Sequence, residues 1–224
     1  MLLLFISCAL KEKGTLKYSE LQEWGLSAGV KDVKALYFKS FRKNGENLIP
    51  IDNEQWDRMT ITYYNKQGMM DSLKVYNTKN SPPLIFIYVT EGEIIKTYMV
   101  SNSDTILYSK KYWKSKLNYI VDILNDNRVE TKELCYLDDK FRMKEIKREI
   151  YNLEDNSIEF STSEKIYFNV NNQLDSIRGF SEGKMNDLTL NVDAEFDRSK
   201  NPIKSSKKIG QMEPYLIERE FTYY

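Results

Sequence analysis

The sequence predicts an all-β protein: a long antiparallel meander of hairpin repeats that forms one twisted or curled sheet. Three observations support this fold class. The segment Ile61–Val75 has two apolar-alternating runs on either side of a polar turn that contains Gly68. Related turns recur along most of the chain. Aromatic residues make up 13% of the sequence, and such residues favour strands.

The hairpin segment has several counterparts in the chain. Each begins with an aromatic or apolar residue, continues through polar residues that often include Asn, Asp or Gly, and ends with an apolar residue that opens the returning strand. Asn, Asp and Gly tolerate the positive φ angles that tight turns require. Repetition of one hairpin unit predicts that neighbouring units stack and are not stable alone. The predicted turns lie within 41–48, 64–70, 88–94, 124–129, 137–143, 168–174 and 196–203.

Between the turns, apolar and polar residues alternate, which predicts half-buried strands with one apolar face. The clearest case contains Leu117, Tyr119, Val121 and Ile123. The segment Leu84–Val89 is apolar throughout and is predicted to be buried on both faces.

Two segments have the spacing of a helix. Leu21 and Trp24 lie three residues apart, which predicts a short N-terminal helical turn over Tyr18–Trp24 that ends at Gly25. Apolar residues within 143–153 also fall at helical spacing, so a strand and a helix are both open there. The neighbouring hairpins favour a strand.

The composition excludes several kinds of chemistry. The 224 residues include no histidine and only two cysteines, Cys8 and Cys135. Ser-His-Asp triads, Cys-His pairs, histidine-based metal sites and four-cysteine zinc sites are therefore excluded. Lys+Arg and Asp+Glu are balanced at 33 each, which gives no electrostatic footprint for nucleic acid. The sequence has no glycine-rich phosphate loop and no calcium-loop spacing, so no cofactor and no metal are predicted.

The N-terminal residues predict a lipid anchor. Residues 1–14 are interpreted as the remnant of a lipoprotein signal and tether, and residues 15–224 as a single β-repeat domain. Phe5–Cys8, followed by a polar segment, is similar to the lipobox of bacterial lipoproteins, where the cysteine becomes the acylated first residue of the mature chain. The apolar run is too short for a transmembrane helix, so attachment is predicted through a lipid on Cys8. Alternatively, Leu2–Leu10 is an ordinary apolar strand or helical turn.

The segment Gly25–Val33, GLSAGVKDV, resembles the entry segment of bacterial envelope lipoproteins built from degenerate YD-type (Rhs-like) β-hairpin repeats. The segment Ile217–Tyr224 resembles the closing strand of that family. The function of the family is largely unassigned. The resemblance implies a location in the bacterial cell envelope, at the outer membrane, on its periplasmic or surface face. A cytoplasmic location is the alternative.

Aromatic residues are the main candidates for binding. Trp113 with Tyr108 and Tyr112, or else Trp56, is predicted to form an exposed platform for a sugar ring or a partner protein, because Trp and Tyr dominate binding hot spots. The alternative is that they pack across strands, as aromatic residues in sheets usually do. Cys135, between Leu134 and Tyr136, is predicted to be a buried structural thiol.

Carboxylates are the remaining candidates for acid–base chemistry. Asp193, Glu195 and Asp197 alternate along a predicted strand, so they would share one face. Paired carboxylates can hydrolyse glycosides, whereas Asp and Glu at turns and on strands are commonly solvated charges.

Three hypotheses about function follow from these observations. The first is a non-enzymatic, lipid-anchored envelope protein that presents an extended β-sheet surface to an unknown protein or glycan. The second is a cytosolic immunity-type protein that binds and neutralises a toxin. The third is a carboxylate-dependent glycan hydrolase.

Overall fold

The structure is a computed structural model that describes residues 18–39, 41–44, 47–51, 56–101, 104–210 and 214–224. These residues form one short helix and sixteen strands. The helix, α1, spans Glu20–Glu23. The strands are β1 Val30–Phe38, β2 Phe41–Asn44, β3 Asn47–Pro50, β4 Arg58–Tyr64, β5 Met70–Tyr76, β6 Leu84–Glu91, β7 Ile94–Ser101, β8 Asp104–Ser115, β9 Asn118–Asn125, β10 Arg128–Leu137, β11 Met143–Tyr151, β12 Ile158–Phe168, β13 Leu174–Ser181, β14 Lys184–Phe196, β15 Pro202–Ile209 and β16 Tyr215–Tyr223.

Fourteen of these strands form a closed barrel. From β4 to β16, each strand pairs antiparallel with the next strand in the chain. Strand β1 closes the barrel because it pairs with β4 on one side and β16 on the other; Ala35 lies opposite both Thr60 and Arg219. Strands β2 and β3 form a separate hairpin, and β3 contacts β15.

The predicted antiparallel meander of hairpins is therefore confirmed, and so is the short N-terminal helix. The predicted twisted or curled sheet differs in one respect: it closes into a barrel, because β1 pairs with both β4 and β16. Closure removes the unpaired edges that an open sheet of this length would expose. The sheet then has two different faces, one on the lumen and one on the outside.

The alternation predicted for β9 is confirmed. Tyr119 is buried in the main core, Leu117 and Val121 pack against that core, and Ile123 lines the lumen. The prediction that Leu84–Val89 is buried on both faces is wrong, because Ile87 and Val89 of β6 are 40% and 37% exposed. A barrel wall is a single layer, so only one face of each strand can lie against the lumen.

The segment with helical spacing near the middle of the chain is a strand, β11. Its spacing has a local cause. The pairing of β10 with β11 shifts so that Tyr136 lies opposite Glu145 and Leu137 lies opposite Met143. The extra residue in β11 places Met143 and Ile146 on the same buried face although they are three residues apart.

The predicted turns all connect paired strands; in the first of them, residues 45 and 46 lie outside the described residues. Four turns share one five-residue structure. In each, the first residue is Asn or Asp, and its backbone N–H donates to the carbonyl oxygen of the fifth residue. The N–H of the fourth residue donates to the carbonyl oxygen of the first. The fourth residue has a positive φ angle in every case, between 61° and 78°. The four turns span 65–69, 138–142, 169–173 and 197–201.

The first residue of these turns has a role that the sequence pattern did not specify. Its side-chain oxygen accepts a hydrogen bond from the backbone N–H of the fifth residue, at 2.8–3.1 Å. The positive φ angle falls instead on the fourth residue, which is Gly68, Phe141, Asn172 or Lys200. At the first position of these four turns, Asn and Asp therefore recur because of their acceptor oxygens rather than their tolerance of positive φ.

Residues 18–29, here called the plug, lie across the end of the barrel where these four turns are found. Leu21 donates its N–H to the carbonyl oxygen of Gly68, and Ser27 donates its N–H to Asn201 Oδ1 at 2.8 Å. Gly25 has a φ angle of +72°, and a Cβ there would overlap the carbonyl oxygen of Asn172. The Tyr18 ring contacts the ring of Phe141. The plug thus contacts all four turns.

Removing the acceptor of one turn tests this account. Asp138 accepts hydrogen bonds from the N–H groups of Lys140 and Arg142 and pairs with the Arg142 guanidinium at 2.6 Å. Burial opposes ionisation, but these contacts outweigh it and lower the pKa of Asp138. We expect Asp138→Ala to lower the free energy of unfolding by about 1–3 kcal/mol at neutral pH.

The control is Asp139→Ala, because Asp139 is the adjacent exposed residue of the same turn. Since the folded pKa of Asp138 is lowered, its contribution is present above the ordinary value of 3.8 and is lost as the pH falls. The difference between wild type and Asp138→Ala should therefore shrink in acid. Urea unfolding at neutral and acidic pH measures this, and equal effects of the two variants would contradict the assigned role.

Candidate functional site

A buried ionic cluster joins the plug to the barrel lumen. Glu20 and Glu23 of α1 are each only 4% exposed. Lys111 of β8 reaches them from the barrel wall, with Nζ 3.0 Å from Glu20 Oε1 and 3.2 Å from Glu23 Oε1. Tyr18 and Tyr119 donate their hydroxyl hydrogens to Glu23, and the N–H of Met70 donates to Glu20 at 2.6 Å. The cluster is fully inside the protein.

Three aromatic rings surround the ammonium group of Lys111. Its Nζ lies 4.1 Å from the ring centre of Tyr119, 5.0 Å from that of Tyr18 and 5.9 Å from that of Trp113. The same two tyrosines donate to Glu23, so they connect the cation and the carboxylate. Rings and carboxylates together form a complete binding site for an ammonium group, which the chain fills with its own lysine.

The charges in this cluster depend on each other. Burial, together with the neighbouring Glu20, raises the pKa of Glu23 above its ordinary value even though Lys111 opposes the shift. Burial alone would lower the pKa of Lys111, but the carboxylates of Glu23 and Glu20 outweigh it and raise that pKa. Lys111 is therefore a cation, and it holds two acidic side chains that would otherwise be unpaired in the interior.

A second ionic network lies on the lumen side of β10, β11 and β12. Arg148 places Nε 2.5 Å from Glu133 Oε1 and Nη1 2.8 Å from Glu164 Oε1. Burial opposes ionisation, but the hydrogen bonds that the guanidinium donates to Glu164 and Glu133 raise the pKa of Arg148 above its ordinary value. Both networks therefore combine two carboxylates with one cation.

A cavity of about 370 Å³ lies between the two networks. Its walls are mainly aliphatic and aromatic side chains of β5 to β11, and its polar lining includes Glu20, Glu23, Lys111 and Glu133. A volume of this size is within the range of small-molecule sites in proteins. The apolar lining comes from Trp24, Met70, Leu73, Phe86, Tyr88, Ile95, Tyr108, Tyr119, Val121, Ile123, Met143 and Ile146.

The opposite side of the lumen is basic. Lys207 of β15 lies near Arg219 of β16 and Arg58 of β4, and the pKa of Lys207 is lowered by burial and by these two cations. Arg219 donates to Ser205 Oγ at 2.7 Å, and Arg58 lies over the ring of Tyr37. The lumen thus has an acidic, aromatic side next to the plug and a basic side.

The aromatic residues of the two predicted platforms lie in different surroundings. Trp113 packs in the core between Tyr18 and Tyr119, with ring centres 4.7 Å and 5.1 Å away. Tyr108 lines the cavity, where its ring contacts Phe86. Tyr112 points to the outside and donates its hydroxyl to Asp122 at 3.1 Å. Trp56 packs in a separate cluster with Phe38 and Leu216. Binding by these residues stays a prediction.

The other candidate residues have the following positions. Cys8 lies outside the described residues. Cys135 is a buried free thiol, and burial together with Glu133 raises its pKa to about 12. For the acidic residues of β14, the backbone register places Asp193 opposite Ser205 and Glu195 opposite the adjacent Lys204, with a bulge between them. The prediction that Asp193, Glu195 and Asp197 share one face stays a prediction.

No protein-family model matches this sequence, and no curated protein is significantly similar to it. Over the ranges that the structure describes, no helix is long and apolar enough to cross a membrane. The same ranges contain no group of three or more His, Cys, Asp or Glu residues placed to hold a metal ion. The site must therefore be interpreted from its own geometry.

Sequence reasoning did not find the ionic cluster. One signal was available: Lys111 lies two residues before Trp113 and two after Ser109, at the lumen-facing positions of β8. A lysine at an inward position of an alternating strand predicts a buried counter-ion. Glu20 and Glu23, in the predicted helical turn, gave no such signal, because acidic residues in the first turn of a helix are common at the surface.

Replacing the buried lysine tests the cluster. Lys111→Met removes the ammonium and leaves two buried carboxylates, so we expect the free energy of unfolding to fall by about 3–5 kcal/mol at neutral pH. Lys110→Met is the matched control. Lys110 lies opposite Lys96 and Asp122 on the outer face, and its replacement should cost less than about 0.5 kcal/mol.

The pH dependence of Lys111→Met separates the loss of charge from the loss of packing. Because the pKa of Glu23 is raised in the folded state, the folded protein binds a proton there more readily than the unfolded chain does. The stability lost in Lys111→Met should therefore partly return as the pH falls from neutral toward 5. Urea titrations of both variants measure this, and a deficit that stays constant with pH would show that Lys111 acts through packing alone.

Proposed function

We propose that this protein is a non-enzymatic, lipid-anchored component of the bacterial cell envelope whose outer barrel surface binds another protein. The observation that carries the proposal is an apolar and aromatic patch on the outer faces of β6, β7 and β8. Ile87, Val89 and Ile94 are 40%, 37% and 38% exposed there. Solvated strands of a barrel are expected to present polar residues outward, so an exposed apolar patch marks an interaction site.

The strand register brings the patch residues side by side. Ile87 lies opposite Tyr98, and Ile94 lies opposite both Glu91 and Tyr112. Phe86 and Tyr88, which alternate with the patch residues along β6, line the lumen instead. Tyr112 is thus the one predicted binding aromatic that lies in this patch.

The composition of the patch favours a protein partner over a glycan. Glycans stack on aromatic rings and need nearby hydrogen-bond donors and acceptors, whereas most exposed side chains here are aliphatic. Branched aliphatic residues with neighbouring tyrosines are typical of the apolar centre of a protein–protein interface. Lys96 and Glu91 form an ion pair beside the patch, as charged residues do at the rim of a protein–protein interface.

A lipid anchor on Cys8 agrees with the position of the plug. The described chain begins at Tyr18, at the end of the barrel that the plug covers. Tyr18 lies ten positions after Cys8, and an extended chain of that length spans at most about 35 Å. An anchored barrel would therefore hold its plug end close to the membrane and keep the outer faces of its strands accessible from the side.

The non-enzymatic assignment rests on the absence of histidine and on the structural roles of the candidate carboxylates. Glu195 pairs with Lys204 at 3.4 Å, and Asp197 accepts a hydrogen bond from the N–H of Asn201 within its turn.

An immunity-type protein of the cytosol is the second candidate function, because the same outer patch would suit the binding of a toxin.

The lipid anchor is tested by expressing the gene from its native locus with its upstream DNA, beside a Cys8→Ala variant. We expect the wild-type protein in the membrane fraction, with a lipid-modified Cys8 at its N-terminus by intact mass, and the variant in the soluble fraction. A soluble wild-type protein that starts at Met1 or upstream would contradict the anchor and favour the immunity-type alternative.

The outer patch is tested separately by site-specific crosslinking in the native host. A photoreactive phenylalanine analogue replaces Tyr112 in the patch or, as the matched control, Tyr136 on the outer face of β10. We expect a protein adduct of defined mass only from position 112, and its loss when Ile87→Asp is added. Equal adducts from both positions, an adduct whose mass falls after glycan digestion, or no adduct would contradict a protein partner at this patch.

A further inference from the structure

We propose that the lumen cavity is a binding site for an apolar organic cation, a small molecule with a hydrophobic body and a positively charged amino group. The cavity has about 370 Å³ of space, and its walls include Leu73, Phe86, Tyr88, Ile95, Tyr108 and Val121. These side chains would bury the body of the ligand. The site is separate from the outer patch, so the inference does not depend on the proposed function.

The charged groups nearest the cavity favour a cationic ligand group over an anionic one. Glu20 and Glu23 share the single cation Lys111 on one side. On the other side Glu133 and Glu164 both pair with Arg148, and Glu164 also lies near Lys207 of the basic side. When all these groups are ionised, the cluster of Glu20, Glu23 and Lys111 carries one surplus negative charge, and Glu133 adds a carboxylate to the cavity lining. A carboxylate there would be repelled, and an ammonium group would be attracted.

The aromatic lining supports the same ligand class. Tyr88, Tyr108 and Phe86 present their rings to the cavity, and cationic groups bind the faces of such rings. Lys111 already demonstrates this chemistry next to the cavity, because its ammonium group lies among three aromatic rings and two carboxylates. The ammonium group of a ligand in the cavity would likewise lie near aromatic rings, those of Tyr88 and Tyr108, and near a carboxylate, that of Glu133.

The plug leaves a side of the barrel end through which a ligand could enter. Hydrogen bonds from its backbone and serine side chain reach the turns at Gly68 and at 199–201, while, among the described residues, the turn between β6 and β7 receives none from it. Trp24 lies in the plug, is 38% exposed and also lines the cavity. The entrance is therefore placed beside Trp24, above the ends of β6 and β7.

Three probes with the same chain and different head groups test the proposal: decylamine, decanol and decanoate, each titrated into the protein by calorimetry below its aggregation concentration. We expect decylamine to bind at least about tenfold more tightly than decanoate, with decanol between them. Equal affinities, a preference for decanoate, or no binding of decylamine would overturn the assignment.

Two adjacent isoleucines of β7 provide matched variants that locate the binding. Ile95 lines the cavity, so Ile95→Trp fills it and should lower decylamine affinity by at least about tenfold. Ile94 lies on the outer face, and Ile94→Trp should leave the affinity within about twofold. If Ile95→Trp does not fold, Ile123→Phe fills the same cavity with a smaller change. Decylamine affinity that is unchanged by filling the cavity, or lost in Ile94→Trp, would overturn the proposal.

A third variant tests the charge argument. Glu133→Gln removes one carboxylate of the second network while Arg148 keeps its contact with Glu164. The preference for decylamine over decanol should fall, and decanol affinity itself should stay unchanged. A preference that is unaltered in Glu133→Gln would show that the surplus negative charge does not select the ligand and would overturn the assignment of a cation.

Discussion

Pairing of β1 with both β4 and β16 is the constraint on which the rest of the structure depends. It joins segments that are far apart in the chain: Thr222 donates a hydrogen bond to Asp32, 190 residues away. Without this pairing the strands would form an open sheet with two long edges. With it, every strand gains a lumen face and an outer face, and the chain acquires an interior in which buried charges and a cavity can exist.

The plug and the ionic cluster determine each other's position. A helix of four residues has no independent stability, so α1 is held by its contacts. Its two glutamates meet Lys111, whose charge offsets the cost of burying two carboxylates. The capping box between Ser19 and Gln22 satisfies the backbone N–H groups of these two residues. The ion pairs and the contacts with the four turns together hold the plug in place.

Local features of this fold could be predicted from the sequence, and features that depend on closure could not. Strands and turns follow from alternation and from the Asn or Asp at the start of each turn, which act over a few residues. A bulge defeated the alternation rule at Met143 and Ile146, because the extra residue in a bulge changes the side to which its neighbours point. The site combines α1 with β8, which are about 90 residues apart, and no local pattern reports such contacts.

The arrangement of the four equivalent turns has a consequence for the order of folding. Each strand pair between β4 and β16 is local in sequence, so the hairpins can form independently, whereas the surface that receives the plug includes turns from 65–69 to 197–201. That surface exists only when most of the sheet has assembled. We therefore expect the plug to dock last, with burial of Glu20 and Glu23 at the end of a slow, non-local assembly.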